Sequence, residues 1–171
     1  MTNLNRTIRI EKIIVNIGVG QAGEKLLKAQ KVLEMVTKRK AVQTLSRSTI
    51  RDWGLRENMP IGCKVTLRHA AATEFLGRAL AVRNNRLPSY SFDPGGNFSF
   101  GIPDYTDFEG MKYDPEIGIY GMNVNVVLER PGFRVKRRRI VPRAIPKDHA
   151  ITQAEGIAFA REAFKVEVVE A

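Results

Sequence analysis

Residues 56–68 read Arg56-Glu-Asn-Met-Pro-Ile-Gly-Cys-Lys-Val-Thr-Leu-Arg68. Pro60 fixes φ and biases Met59 toward extended backbone, while Gly62 permits a bend. Beyond it the alternation is strict. Cys63, Val65 and Leu67 fall on one side and Lys64, Thr66 and Arg68 on the other, the period-two pattern of a half-buried strand. Taken alone, the polar side is an ordinary solvated strand face. The preceding stretch argues for more: Lys38 to Arg51 holds basic residues and hydroxyls but no acid. A basic loop running into a polar strand face suits phosphates.

Working outward, Ile10 to Gly18 reads as a strand, and after a glycine turn Glu24 to Thr37 reads as a helix with Leu26, Ala29, Leu33 and Val36 at helical spacing. Val42 to Leu45 is a short strand, and Ser46–Asn58 is a polar loop whose one apolar anchor is Trp53. So polar a run is expected to be disordered in the free chain. Ala70 to Val82 is a second helix, Asn84 to Gly96 reads as loop, and Asn97 to Gly101 alternates again. Pro103 to Gly118 is irregular, and Gly121 to Glu129 is the clearest strand. From Arg130 to Lys147 there is no acid, and the prolines favour an extended segment over a helix. Thr152-Gln-Ala-Glu155 is a capping box opening a third helix, and Lys165 to Val169 closes the chain as a strand.

This order predicts an α+β fold, a mainly antiparallel sheet with helices on one face, in a single domain over residues 1–171. The other sheet face is open. Alternation puts Asn16, Lys64, Thr66, Arg68, Asn97, Ser99, Asn123 and Asn125 there. That face carries amides, hydroxyls and cations without aromatics, so it suits folded RNA better than stacked single strands.

Charge agrees. The chain of 171 residues holds 28 Lys+Arg against 18 Asp+Glu, a net +10. Such an excess attracts nucleic acid or an anionic membrane surface. No run is apolar enough for a membrane span, and Met1-Thr-Asn-Leu-Asn-Arg lacks the apolar core of a signal peptide. A single cysteine cannot make an internal disulfide, which fits a reducing, intracellular compartment. A membrane-surface role lacks a basic amphipathic helix.

Gly18-Val-Gly20-Gln-Ala-Gly23 is a literal G-x-G-x-x-G between strand and helix. Dinucleotide binding also needs an acid about 20 residues further on, yet no acid occurs between Glu34 and Asp52. The glycines therefore read as a strand-to-helix turn, or as a close backbone approach to an RNA phosphate at that helix N-terminus. His69 and His149 have no partner at ligand spacing, so no metal site is expected. Cys63, on the apolar side of its strand, reads as a core residue rather than a nucleophile. No cofactor is expected, and a dinucleotide enzyme would fit only the glycines.

Four segments resemble one family: Ile10-Glu-Lys-Ile-Ile-Val-Asn-Ile-Gly-Val-Gly20, the Arg56–Arg68 stretch, Gly96-Asn-Phe-Ser-Phe-Gly101 and Tyr113-Asp-Pro-Glu-Ile-Gly-Ile-Tyr-Gly-Met122. Together they look like the large-subunit ribosomal protein L-five family, from about Arg9 to Val169. Arg130-Pro-Gly-Phe-Arg-Val-Lys-Arg-Arg-Arg139 and Ile145-Pro-Lys-Asp-His149 resemble its archaeal and eukaryotic branch, and the compact length suggests an archaeal-type member. The resemblance implies a non-enzymatic protein of the large ribosomal subunit. It would bind 5S rRNA and neighbouring 23S rRNA in the central protuberance. It would also reach P-site tRNA with a loop, and meet other ribosomal proteins of the protuberance and of the small-subunit head in an intersubunit bridge. Carried onto this chain, the 5S rRNA contacts fall on Asn16, Thr66 and Arg68, with Lys64 beside them. Arg39 stands where most members carry a glutamine that touches 5S rRNA. The tRNA loop is Ser46–Asn58, with Arg47, Ser48, Arg51 and Arg56 as contacts. Arg134, Lys136, Arg137, Arg138 and Arg139 form an rRNA-facing basic segment.

Overall fold

The computed structural model describes residues 4–169; the first three residues of the Met1–Arg6 stretch and the end of the 1–171 span lie outside them. The strands are β1 (Arg9–Gly18), β2 (Val42–Leu45), β3 (Pro60–Leu67), β4 (Arg86–Pro88), β5 (Phe98–Ile102), β6 (Met122–Glu129) and β7 (Glu167–Val169). The helices are α1 (Glu24–Thr37), α2 (His69–Val82), the single turn α3 (Arg134–Arg137) and α4 (Gln153–Phe164). Five strands form one mainly antiparallel sheet in the order β2-β3-β1-β6-β5, and β4 pairs with β7 separately. The α+β class is as expected.

The chain divides into two compact units, and β1 and β6 each pass from one to the other. One unit holds Ile14–Leu67 and Phe100–Val124. In it, α1 packs on β3, burying Leu26, Ala29, Leu33 and Val36 together with Cys63 and Val65. β2 runs antiparallel to β3, pairing Val42 with Lys64 and Thr44 with Gly62. A Cβ at Gly62 would lie 2.8 Å from the Ile17 carbonyl oxygen and 2.9 Å from Thr44 Oγ1, so this close strand approach requires glycine.

The other unit holds the chain up to Ile13, Arg68–Ser99 and Asn125 onward. Here α2 buries Ala72, Phe75, Leu76, Ala79 and Leu80. α4 opens with the capping box: Thr152 Oγ1 accepts from Glu155 N–H while the Glu155 carboxylate accepts from Thr152 N–H at 3.0 Å. The helix then meets the loop before β5 backbone to backbone, at Gly156 and Gly96.

Three expectations are corrected. The Asn84–Gly96 stretch is not all loop: Arg86–Pro88 pairs in parallel with Glu167–Val169, burying Leu87, and a 3-10 turn covers Ser89–Ser91. Three residues are too few to show periodicity, and the partner lies near the other end of the chain. The basic segment is not wholly extended, because Arg134–Arg137 closes a helical turn, with Arg138 N–H donating to the Arg134 carbonyl. Trp53 does not pack on the core; it is 72% exposed. The loop around it holds itself instead. Ile50 and Leu55 exchange backbone hydrogen bonds, Ser46 N–H donates to Met59 and Asn58 N–H to Ser46, so the segment is a hydrogen-bonded hairpin loop.

Candidate nucleic-acid interface

β3 sorts its side chains as the alternation required: Cys63, Val65 and Leu67 are buried, Lys64 and Thr66 exposed. Arg68, just past the strand, is exposed as well. On other strands of the sheet, Asn16 and Asn125 are half-buried, and Ser99 and Asn123 are exposed. Asn97 is different. Its amide donates to the Asp93 carboxylate at 2.9 Å and its oxygen accepts from Leu128 N–H at 2.9 Å. That side chain braces the start of β5 rather than standing ready for a ligand.

Arg39 sits in the turn after α1, exposed between Lys38 and Lys40. Lys38 adopts left-handed backbone, with φ 52°, and its N–H closes onto the Glu34 carbonyl. Thr37 Oγ1 donates to the Leu33 carbonyl at 2.6 Å, and the Glu34 carboxylate accepts from Ala41 N–H at 2.9 Å. That backbone hydrogen bond holds the Glu34 carboxyl below the usual range. Both sides of the turn are thus tied down, and three consecutive cations project from a fixed backbone.

In the hairpin loop Arg47, Ser48, Arg51 and Arg56 are all exposed, with Trp53 among them. Gly54, at φ 65°, makes the tip. Ser46 is buried and donates from Oγ to the Ser48 carbonyl at 2.8 Å, which fixes the base of the loop. The loop exposes an indole and three guanidinium groups, able to stack on bases and bind phosphates, alongside the acids Asp52 and Glu57.

The basic segment is less uniform than its sequence. Arg134, Lys136, Arg138 and Arg139 are exposed. Arg137 forks between two carboxylates, reaching Glu11 Oε1 through Nη1 and Glu129 Oε2 through Nη2 at 2.6 Å. Arg9 takes the other Glu129 oxygen at 2.7 Å, and Lys12 and Arg68 both come within 3.5 Å of Glu11 Oε1. Burial opposes ionisation of Glu11, but Lys12 and Arg137 outweigh it and hold its carboxyl below the usual range. Glu11 lies far away in sequence and Glu129 just before the run begins, so an acid-free run of residues did not mean an acid-free surface. Arg130, counted among the cations of the segment, is only 5% exposed. It donates to the carbonyls of Arg6, His149 and Ala150 and to Glu155 Oε1 at 2.7 Å. Arg130 is structural.

Sequence reasoning passed over one surface. Pro103 to Tyr120 contains Asp104, Asp107, Glu109, Asp114 and Glu116 against the lone cation Lys112. Tyr113 and Ile119 are exposed within it, and Tyr120 ties it to α1 by donating to the Lys25 carbonyl. Looking for segments rich in acid, as well as for those without it, would have found it.

The glycine turn is chemically committed. Val19 and Gly20 both donate their N–H to the Ile61 carbonyl, at 3.0 and 2.8 Å. Donors used in this way cannot cradle a pyrophosphate. Cys63 is buried, and burial pushes its thiol up to about 11, so it stays protonated and unreactive.

The whole is a basic α+β protein presenting a polar strand face, a cationic turn and a cationic hairpin loop, the features of a protein that binds folded RNA. Comparison with known families agrees. Residues 3–56 match the family model described as ribosomal protein L5, and residues 60–159 match the model of that ribosomal family's C-terminus. The chain is 52% identical over 168 residues to large ribosomal subunit protein uL5 of Thermoplasma volcanium, covering 98% of this chain and 99% of that one. It is 53% identical over 161 residues to the Thermoplasma acidophilum protein of that name, covering 94% and 95%. The Sulfurisphaera tokodaii protein is 48% identical over 169 residues, covering 98% and 96%. The chain belongs to the ribosomal protein L5 family, in its archaeal form.

Proposed function

We propose that this chain holds 5S rRNA on the polar strand face and neighbouring 23S rRNA on the basic segment, in the central protuberance of the large subunit. Members of the family are structural, non-enzymatic constituents of the large ribosomal subunit, in the cytoplasm. The observation that carries the finer reading is β3 itself: its apolar side is buried while Lys64 and Thr66, with Arg68 after them, face solvent. Asn16 and Arg39 extend that surface in the reading. Short amides, hydroxyls and guanidinium groups meet RNA at its phosphates and 2′-hydroxyls. Arg134, Lys136, Arg138 and Arg139 supply the exposed cations for 23S rRNA.

The hairpin loop, with Arg47, Ser48, Arg51 and Arg56 exposed around Trp53, serves P-site tRNA. The acidic Pro103–Tyr120 stretch repels RNA, so it suits a basic protein of the small-subunit head as part of an intersubunit bridge. Filter binding tests the reading. A 5S rRNA transcript should bind well above an unrelated RNA of equal length at 0.15 M salt, and equal retention of both would refute it.

A further inference from the structure

We propose that Arg68 and Arg137 act together as one phosphate clamp on 5S rRNA, and that Glu11 and Glu129 are the positioning residues that assemble it. The proposal rests on the reading of the Arg68 surface as the 5S rRNA site, and joins to it a residue otherwise assigned to the separate basic segment. Arg68 follows β3 and Arg137 lies in α3, yet both guanidinium groups converge on the same oxygen of Glu11. Arg137 reaches on to Glu129, whose second oxygen holds Arg9.

The layering of charge matters. The Glu11 and Glu129 side chains are each 10% exposed, while those of Arg68 and Arg137 are 48% and 47% exposed. Acids lie beneath and cations above. Two carboxylates face Arg9, Lys12, Arg68 and Arg137, which leaves a positive surplus. Each guanidinium also keeps N–H donors that the carboxylates do not use. A phosphate oxyanion accepts from paired guanidinium groups in fixed geometry. Holding a long cationic side chain in place before binding removes an ordering cost worth about three- to tenfold in affinity per side chain.

Charge alone makes the opposite prediction. Glu11→Gln removes a negative charge, so a general attraction for RNA should strengthen. Under the clamp, Arg68 and Arg137 lose their shared carboxylate and 5S rRNA affinity falls by about three- to tenfold. The experiment is filter binding of the full chain to a 5S rRNA transcript at fixed salt, with a thermal melt of each variant. Glu11→Gln binding as tightly as the parent, or more tightly, would overturn the clamp. A second variant decides the matter if that one does not fold. Arg137→Lys keeps the charge but cannot fork across two carboxylates. It should weaken 5S rRNA binding by a similar factor with the salt slope unchanged, and parent-like affinity would overturn the proposal. Arg68→Ala separates the layers: if it alone leaves 5S rRNA affinity intact, the surface assignment fails first. If it weakens binding while Glu11→Gln and Arg137→Lys do not, only the clamp fails.

Discussion

Two glycine-to-alanine substitutions, both in helices, should move stability in opposite directions. At Gly156 in α4, an added Cβ would run into the Gly96 carbonyl oxygen and sit 2.7 Å from Gly96 Cα and 2.9 Å from its carbonyl carbon. These are backbone atoms and cannot rotate aside. Gly96 must itself be glycine, since a Cβ there would lie 2.6 Å from Ile151 Cγ2 and its φ is 75°. To reach ordinary contact, α4 must back away by about 1 Å from the loop that it covers. Overpacking of this kind costs about 1–3 kcal/mol, occasionally more, against a gain of about 0.5–1 kcal/mol from replacing glycine in a helix. Gly156→Ala should therefore lose about 1 kcal/mol net, lowering Tm by about 2–4 °C at this chain length. At Gly77 in α2 nothing lies within 4 Å of the added Cβ, so Gly77→Ala should gain about 0.5–1 kcal/mol. Urea unfolding followed by far-ultraviolet circular dichroism measures both; Trp53, exposed in its loop, is a poor probe. If both variants shift the midpoint the same way, the Gly96–Gly156 contact does not hold α4 as described.

Other outcomes follow from the same contacts. Thr152→Ala removes the side-chain half of the capping box and should cost about 1 kcal/mol in the same unfolding assay. Arg130→Met leaves buried carbonyls without donors and should cost about 2–3 kcal/mol, yet leave the salt slope of RNA binding unchanged because Arg130 is buried. The Glu155 carboxyl is held below 4.5, chiefly by the Thr152 N–H and also, against burial, by Arg130. Its stabilising contribution is therefore complete above about pH 4.5 and lost as pH falls through the lowered value. Melts from pH 6 to 3 should show a shallower acid loss for Glu155→Gln than for the parent. Shortening the Ser46–Asn58 loop should impair tRNA-dependent steps while 5S rRNA affinity survives, and equal loss of both would contradict that division of labour.

The sequence carried the long, strongly patterned elements almost to their ends. β3, β6 and α1 bury long apolar patterns, and α4 announces itself by a capping box whose partners are adjacent in sequence. What escaped depended on partners distant in the chain. β4 is too short for periodicity and exists only through its pairing with β7, a strand that was expected. Arg137 looked like a free cation because Glu11 is 126 residues away and Glu129, eight residues before it, lies just outside the acid-free run. Asn97 followed the alternation yet is spent on Asp93 and Leu128. Trp53 was read as the apolar anchor of its loop, but the loop closes by backbone hydrogen bonds and leaves the ring in solvent. Three of the candidate contacts, Lys64, Thr66 and Arg68, stand exposed where period-two alternation put them.

That strand face is the centre of the account, and 5S rRNA affinity after its truncation tests it most directly. Arg68→Ala removes a charged donor worth about 1.5–3 kcal/mol when bonded to a phosphate, or at least about tenfold in affinity. Thr66→Ala removes a neutral hydroxyl donor worth about 0.5–1.5 kcal/mol. Both side chains point away from the core, so both variants should melt close to the parent. Filter binding to a 5S rRNA transcript at 0.15 M salt should then show Arg68→Ala clearly weakened and Thr66→Ala weakened less. Parent-like affinity in both variants would contradict the assignment of the face.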